Sequence, residues 1–173
     1  ACMGIGAVLN GKRAGTFGLV NAFSMHPLKS LNVMGDGGMV VTDKDDLATW
    51  MRKYRNHGMQ DRDHIDFWGL NMRLQPLQAI VASRGLDQIE STIKKRNYNA
   101  TILDSGLSNL TNYVTLPERC ERFIETFALY MALFDDRDRL RSYLNNRGIE
   151  TKIHYPIPLH LQSAAATLGY KKG

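Results

Sequence analysis

The chain has 173 residues, 43% hydrophobic and 23% charged, with 22 basic against 17 acidic side chains for a net charge of +5. That apolar share excludes a disordered tail, a collagen-like polymer and a small disulfide scaffold, and it suffices for one domain or one domain plus part of another. No apolar run reaches the roughly 18 residues that span a bilayer, and Cys2 and Cys120 fit a reducing cytosol better than a framework of bridges.

The opening, Ala1-Cys2-Met3-Gly4-Ile5-Gly6-Ala7, carries no polar lead-in and no helix cap, and Gly169-Tyr170-Lys171-Lys172-Gly173 has no closing element. The sequence therefore reads as a segment of a longer cytoplasmic protein. Asn10-Gly11 and Gly15-Thr16 are turn signals. Residues 17–24 read as a short buried strand with Val20, Ala22 and Ser24 on one side. The glycine-rich turn Gly35-Asp36-Gly37-Gly38 leads into a second strand at Met39-Val40-Val41, and Thr42-Asp43 is expected to cap a helix. In that helix Leu47, Trp50, Met51 and Tyr54 form one apolar stripe, which Arg55-Asn56-His57-Gly58 should end in a left-handed turn. After polar residues 61–66, Pro76 sits where a first helical turn tolerates it. Apolar spacings from Leu74 to Leu110 predict one long helix, or two nearly collinear ones, bridging two domains. Residues 123–134 read as β-rich, 136–147 as helical up to Gly148, and 149–155 as extended. A strand–helix–strand unit of this size suggests a smaller α+β domain beginning near Asn112.

Basic residues are mixed with acids, as in Asp135-Asp136-Arg137-Asp138-Arg139. The purely basic Lys94-Lys95-Arg96 lies on a predicted helix and is expected to face water. Anionic small molecules suit this charge pattern better than nucleic acid or a membrane, and no metal site is expected.

The densest cluster of reactive side chains is Phe23-Ser24-Met25-His26-Pro27-Leu28-Lys29-Ser30, directly after a predicted strand, where α/β proteins collect ligand groups. Ser24 offers a hydroxyl, His26 an imidazole and Lys29 an amine that can form a Schiff base once its lone pair is free. Each has an ordinary alternative. A loop lysine is usually a solvated surface group, Ser24 can close a turn, and His26 can be a satisfied structural histidine.

Seven stretches, in order along the chain, resemble the DegT/DnrJ/EryC1/StrS family of sugar aminotransferases. They are Gly6-Ala7, Gly15-Thr16-Phe17-Gly18, Phe23-Ser24-Met25-His26-Pro27-Leu28-Lys29, Gly35-Asp36-Gly37-Gly38, Arg55-Asn56-His57-Gly58, Gly69-Leu70-Asn71-Met72-Arg73 with Gln78-Ala79, and His154-Tyr155-Pro156. The resemblance implies an α/β fold, the type I fold of transferases dependent on pyridoxal 5′-phosphate. Residues 1–112 would be the second half of the large mixed-sheet domain with its interdomain helix, and 113–173 the start of the small C-terminal α+β domain. It further implies that Lys29 carries the cofactor as a Schiff base and that Ser24 binds its phosphate. Asn71 would reach the phosphate of the neighbouring subunit, so that a homodimer shares its active sites. His26 would line the site, and His154 and Tyr155 would shape the sugar pocket. Related sugar dehydratases carry histidine at the position of Lys29, so the lysine favours amine transfer.

Two departures stand out. Met3 falls where the family has a glutamine near the cofactor ring, and a thioether cannot donate that hydrogen bond; Asp36 stands where the family prefers glutamate. The implied activity moves an amino group from an amino acid, glutamate in most relatives, to a keto-sugar. The sugar would be nucleotide-linked or a free sugar acid, used in cell-surface polysaccharide or secondary-metabolite synthesis. The contrasting expectation is a non-catalytic basic module that binds nucleic acid or a protein partner.

Overall fold

The turn signals near the start shape a hairpin. β1 (Val8–Leu9) and β2 (Lys12–Arg13) pair antiparallel with Val8 opposite Arg13. Asn10 and Gly11 both adopt positive φ between them, the backbone that a two-residue hairpin turn requires and that asparagine and glycine tolerate. β3 (Asn21–Ser24) then pairs antiparallel with β4 (Gly38–Val41), Ser24 opposite Gly38. The structure, a computed structural model, describes residues 1–170; Lys171-Lys172-Gly173, the end of the stretch expected to lack a closing element, lies outside them.

β3 is shorter than expected. Residues 16–20 bend instead, held by Asn21 Nδ2 donating to the Gly18 carbonyl and by Thr42 Oγ1 donating to that of Leu19. The inward side of β3 carries Phe23, with Met25 following, while Ala22 points outward. Thr42 is thus spent on the bend and on accepting the Lys44 N–H; it does not cap α1 (Asp45–Tyr54), whose first residue follows Lys44. Asp45 and Asp46 at its start and Arg52 and Lys53 at its end complement the helix dipole. Along its stripe Trp50 stacks on Tyr54 at 4.8 Å and on Phe67 at 5.5 Å. The helix ends where the glycine suggested, with positive φ at His57 and Gly58.

The long apolar pattern resolves into two helices, α2 (Pro76–Leu86) and α3 (Ile89–Leu107). Gly85, a weak helix former, sits just before the break, where the Gln88 N–H turns back to its carbonyl. Both helices lie in the first of the chain's two units. The chain divides into a unit of Ala1–Thr111 with Leu116–Ala132, and a second of Asn112–Thr115 with the residues from Leu133 on. The core of the first is Met25, Leu31, Val33, Ile89 and Ile93, with Ile5, Met39, Leu74 and Ala82 packed against it.

Residues 123–134 are less β-rich than expected, because their carbonyls find side chains instead of strands. Only the ends form ladders. β6 (Phe123–Ile124) joins β1 to give the sheet order β2-β1-β6. In the second unit β5 (Val114–Thr115) pairs with β7 (Leu133–Phe134), ahead of α4 (Arg137–Asn145) and the short α5 (Ser163–Ala166). Between β6 and β7, Asn97 Nδ2 donates to the Glu125 carbonyl at 2.8 Å and Arg96 Nη1 to that of Phe127 at 2.7 Å. Arg96 therefore turns inward, whereas Lys94 and Lys95 face solvent as expected. Residues 149–155, read as extended, form no strand. Among the described residues no helix is long and apolar enough to cross a membrane.

Candidate active site

The lysine loop, residues 25–37, links β3 to β4 and is rigid at its base. The Met25 N–H donates to the Gly37 carbonyl at 2.8 Å, and the Val33 N–H to that of Met25 at 3.2 Å. Met25 and Val33 are 2% and 1% exposed and Leu31 is equally buried, so three apolar side chains anchor the loop from within. The packing is close enough to demand glycines. A Cβ on Gly37 would stand 2.6 Å from Val33 Cγ2, and one on Gly85 in α2 would stand 2.6 Å from Leu31 Cδ1. Apolar burial of this kind fixes a backbone far better than a surface turn does.

Within this frame Ser24, His26 and Lys29, three of the predicted residues, lie close together. The Lys29 N–H donates to the His26 carbonyl at 2.8 Å, closing a tight turn. The His26 N–H approaches Ser24 Oγ at 3.4 Å, which leaves the serine O–H free to donate elsewhere. His26 Nδ1 accepts the Leu28 N–H at 3.2 Å, so the neutral ring carries its proton on Nε2. That Nε2 faces Asp36 Oδ1 at 4.0 Å.

The turn holding Asp36 is itself tied down. Gln78 Nε2 donates to the Asp36 carbonyl at 3.0 Å while Gln78 Oε1 accepts the Gln75 N–H at the start of α2. Asp36 and Gln78 were not singled out as site residues from the sequence. The i, i+3 pair Gln75 and Gln78 around Pro76 is the capping signal that could have found the second of them.

Lys29 is half-buried, and among the described residues its amine meets no carboxylate and makes no hydrogen bond. Lys53, by contrast, is locked to Asp66 and Lys152 to Glu150. An amine that must surrender its proton to attack a carbonyl is hindered by an ion pair, which holds the charged form. Among the described residues Lys29 has no such ion pair.

Asn71 lies on a second cluster of the same unit. It bridges to Asn56, with the Leu70 N–H on the Tyr54 carbonyl and the Met72 N–H on that of Arg55. Its side chain is exposed, and among the described residues no hydrogen bond joins it to Ser24, His26 or Lys29. His154 and Tyr155 belong to the second unit, both exposed, their rings 4.0 Å apart. Among the described residues no group of three or more His, Cys, Asp or Glu side chains could hold a metal ion.

A set of titratable groups altered by their surroundings lies elsewhere, around Arg119. Its guanidinium donates to both oxygens of Asp104 and to Glu125, and Tyr130 donates to Asp104 at 2.7 Å. The Arg119 hydrogen bond, first of all, holds the Asp104 carboxyl below its ordinary value. Burial, and then the neighbouring carboxylate, push the Tyr130 phenol up to about 12. This network fastens Leu116–Ala132 to α3 and offers no reactive group.

Known proteins are similar to this chain in sequence and in fold. The model of the DegT/DnrJ/EryC1/StrS aminotransferase family matches residues 1–173. The pleiotropic regulatory protein of Geobacillus stearothermophilus is 36% identical over all of this chain and 47% of its own. The dTDP-3-amino-3,4,6-trideoxy-alpha-D-glucose transaminase of Streptomyces venezuelae is 38% identical over 93% of this chain and 42% of its own. The crystal structure of S. venezuelae DesV in complex with a ketimine intermediate superposes with a TM-score of 0.89 at 38% identity, covering 94% of this chain and 43% of that one. The chain thus spans less than half the length of these relatives. Its fold is the α/β, type I fold, and pyridoxal 5′-phosphate is the cofactor to be expected of it. By sequence along its whole length and by fold, the chain belongs to the DegT/DnrJ/EryC1/StrS aminotransferase family.

Proposed function

We propose that the protein of which this chain is part transfers an amino group from an amino acid, glutamate by preference, to a keto-sugar, and that Lys29 carries the reaction. The sugar is nucleotide-linked or a free sugar acid, its product serves cell-surface polysaccharide or secondary-metabolite synthesis, and the enzyme works in the cytoplasm. The observation that supports this most is the unpaired Lys29 amine on a loop anchored by Met25, Leu31 and Val33. Relatives named as sugar transaminases point the same way.

Pyridoxal phosphate, when bound, supplies the carbonyl carbon that exchanges amino groups and the electron sink that makes the donor's α-proton labile. The chain's own residues do the rest. Lys29 would hold the cofactor covalently, and its free amine would take the donor's α-proton as general base and deliver it to the cofactor's carbonyl carbon as general acid. Ser24 donates its hydroxyl to the phosphate. His26, its tautomer set by the Leu28 N–H, presents Nε2 beside Asp36 to the site. Asn71 donates its amide to the phosphate held by a second copy, which makes the homodimer the working unit. His154 and Tyr155 contact the sugar. In this reading residues 1–112 complete the cofactor domain and 113–173 begin the small one.

The test uses the full-length protein. Borohydride reduction of the holoprotein should leave the cofactor on Lys29, seen by peptide mass spectrometry. Lys29→Ala should lose the adduct and slow amine transfer by at least about a thousandfold. An adduct on another lysine, or equal turnover by the variant, would refute the assignment. The net charge of +5 and the printed name of the Geobacillus relative favour a second reading, a regulatory module that binds nucleic acid or protein. Salt-sensitive DNA binding with no cofactor adduct would establish it instead.

A further inference from the structure

Arg73 stands two residues beyond Asn71 and makes an uncommon set of contacts for a surface arginine. Its Nε donates to Asn71 Oδ1 at 3.0 Å, and its Nη1 donates to Asn56 Oδ1 at 3.1 Å. Asn56 is in turn held by its backbone bridge to Asn71 and by its own amide against Met59 Sδ at 3.9 Å. Among the described residues no carboxylate pairs with Arg73, whereas Arg13, Arg84, Arg119, Arg137 and Arg139 each have one.

A guanidinium has donors and no acceptor, so the amide edge it faces must be the oxygen. With Oδ1 occupied, the two N–H groups of Asn71 Nδ2 point away from the arginine toward solvent. An asparagine left to itself would present either edge with a half-turn of its side chain. The fork of Arg73, braced on a second amide, removes that choice. It also leaves an unpaired positive charge beside the exposed donors, which suits an anion and repels a cation.

We propose that Arg73 is a positioning residue that locks the Asn71 amide with its N–H groups outward, so that Asn71 meets a phosphate monoester already oriented to donate. The proposal rests on the reading above, in which that monoester is the cofactor's phosphate. Lysine cannot replace arginine here, because a single ammonium on a flexible stem keeps the charge and loses the planar two-amide fork.

The experiment titrates the full-length apoprotein with pyridoxal 5′-phosphate and, separately, with pyridoxal, which lacks the phosphate, for wild type, Arg73→Lys, Asn71→Ala and the double variant. Wild type is first shown to carry the Lys29 adduct; its absence would overturn the underlying reading and this one with it. Arg73→Lys should weaken pyridoxal phosphate roughly tenfold, the scale of one charge-assisted hydrogen bond. Pyridoxal binding should be unchanged, which also shows that the variant is folded. In the Asn71→Ala background Arg73→Lys should add no further loss. Three results overturn the inference while leaving the Lys29 assignment standing. They are wild-type affinity in Arg73→Lys, equal weakening for both ligands, or an undiminished loss in the absence of Asn71, which would mean that the arginine itself meets the anion.

Discussion

Single side chains in this molecule are set by what they face. Asp104 and Tyr130 share one hydrogen bond and Arg119 binds the same carboxylate, yet their consequences for stability run in opposite directions with pH. The Asp104 carboxyl is held below its ordinary value, chiefly by Arg119, so the folded state binds fewer protons there than the unfolded chain does. Its contribution is present above about pH 4 and lost as pH falls through its lowered value. Tyr130 is pushed up to about 12, chiefly by burial, so its contribution is full below about pH 10 and disappears between there and 12. Urea midpoints measured from pH 2 to 12 should fall less steeply on the acid side in Asp104→Asn than in wild type. On the alkaline side the same should hold for Tyr130→Phe. Limbs parallel to those of wild type would show that these groups do not control the pH response. Residue chemistry was only partly legible in advance. Lys29, Ser24 and His26 stood out as candidates because reactive types cluster after a strand. Arg96 was not, since nothing in Lys94-Lys95-Arg96 reveals that the third base turns in to satisfy the Phe127 carbonyl. Arg73 was likewise read only as the end of a motif, because its two amide partners are joined by folding and not by spacing.

Among the elements, the end of α1 places Asn56 and, through it, Asn71 and Arg73. Gly58 is buried with φ at +73°, and a side chain there would collide with the Phe67 carbonyl. Gly69 crosses so closely that a Cβ on it would stand 2.5 Å from the Gly58 nitrogen. Gly58→Ala must therefore pay both the left-handed backbone and the collision, about 3 kcal/mol together. Chemical denaturation of the variant should show that loss, and hydrogen exchange should place the loosening at residues 54–58 and 66–73. A variant as stable as wild type would mean that this crossing does not hold the element. The sequence reading located this turn, because a glycine after basic residues at a helix end is a strong local signal. It left open whether α2 and α3 are one helix or two, because an apolar periodicity continues in phase across a two-residue gap. It also read too many strands into residues 123–134, where β-prone residues lie extended on α3 and bond to side chains.

For the molecule taken whole, the informative feature is what remains uncovered. The lysine loop buries Met25, Leu31 and Val33 but turns Leu28 and Met34 outward, 81% and 84% exposed, and Trp68 is 89% exposed. Large apolar side chains left open in this way are the mark of surfaces that meet something else. The 173-residue chain expressed by itself should therefore bind the dye ANS and elute from a sizing column above its 19.5 kDa. A dye-negative monomer would show that these side chains are tolerated in water. The fold class was legible through the resemblance that seven ordered motifs bear to the DegT/DnrJ/EryC1/StrS family. The extent of the open apolar surface was not, because periodicity tells which face of an element is apolar and not whether anything lies against it.

The return of residues 116–132 to the start of the chain carries a consequence for how the protein is made. β1 takes its second neighbour from β6, and Thr126 Oγ1, in one of the few buried polar side chains, donates to the Met3 carbonyl 123 positions earlier. During synthesis β1 lacks this second neighbour until residues 123–124 have left the ribosome. Such late closure between distant partners slows maturation and lengthens the interval in which an open edge can capture a neighbouring nascent chain.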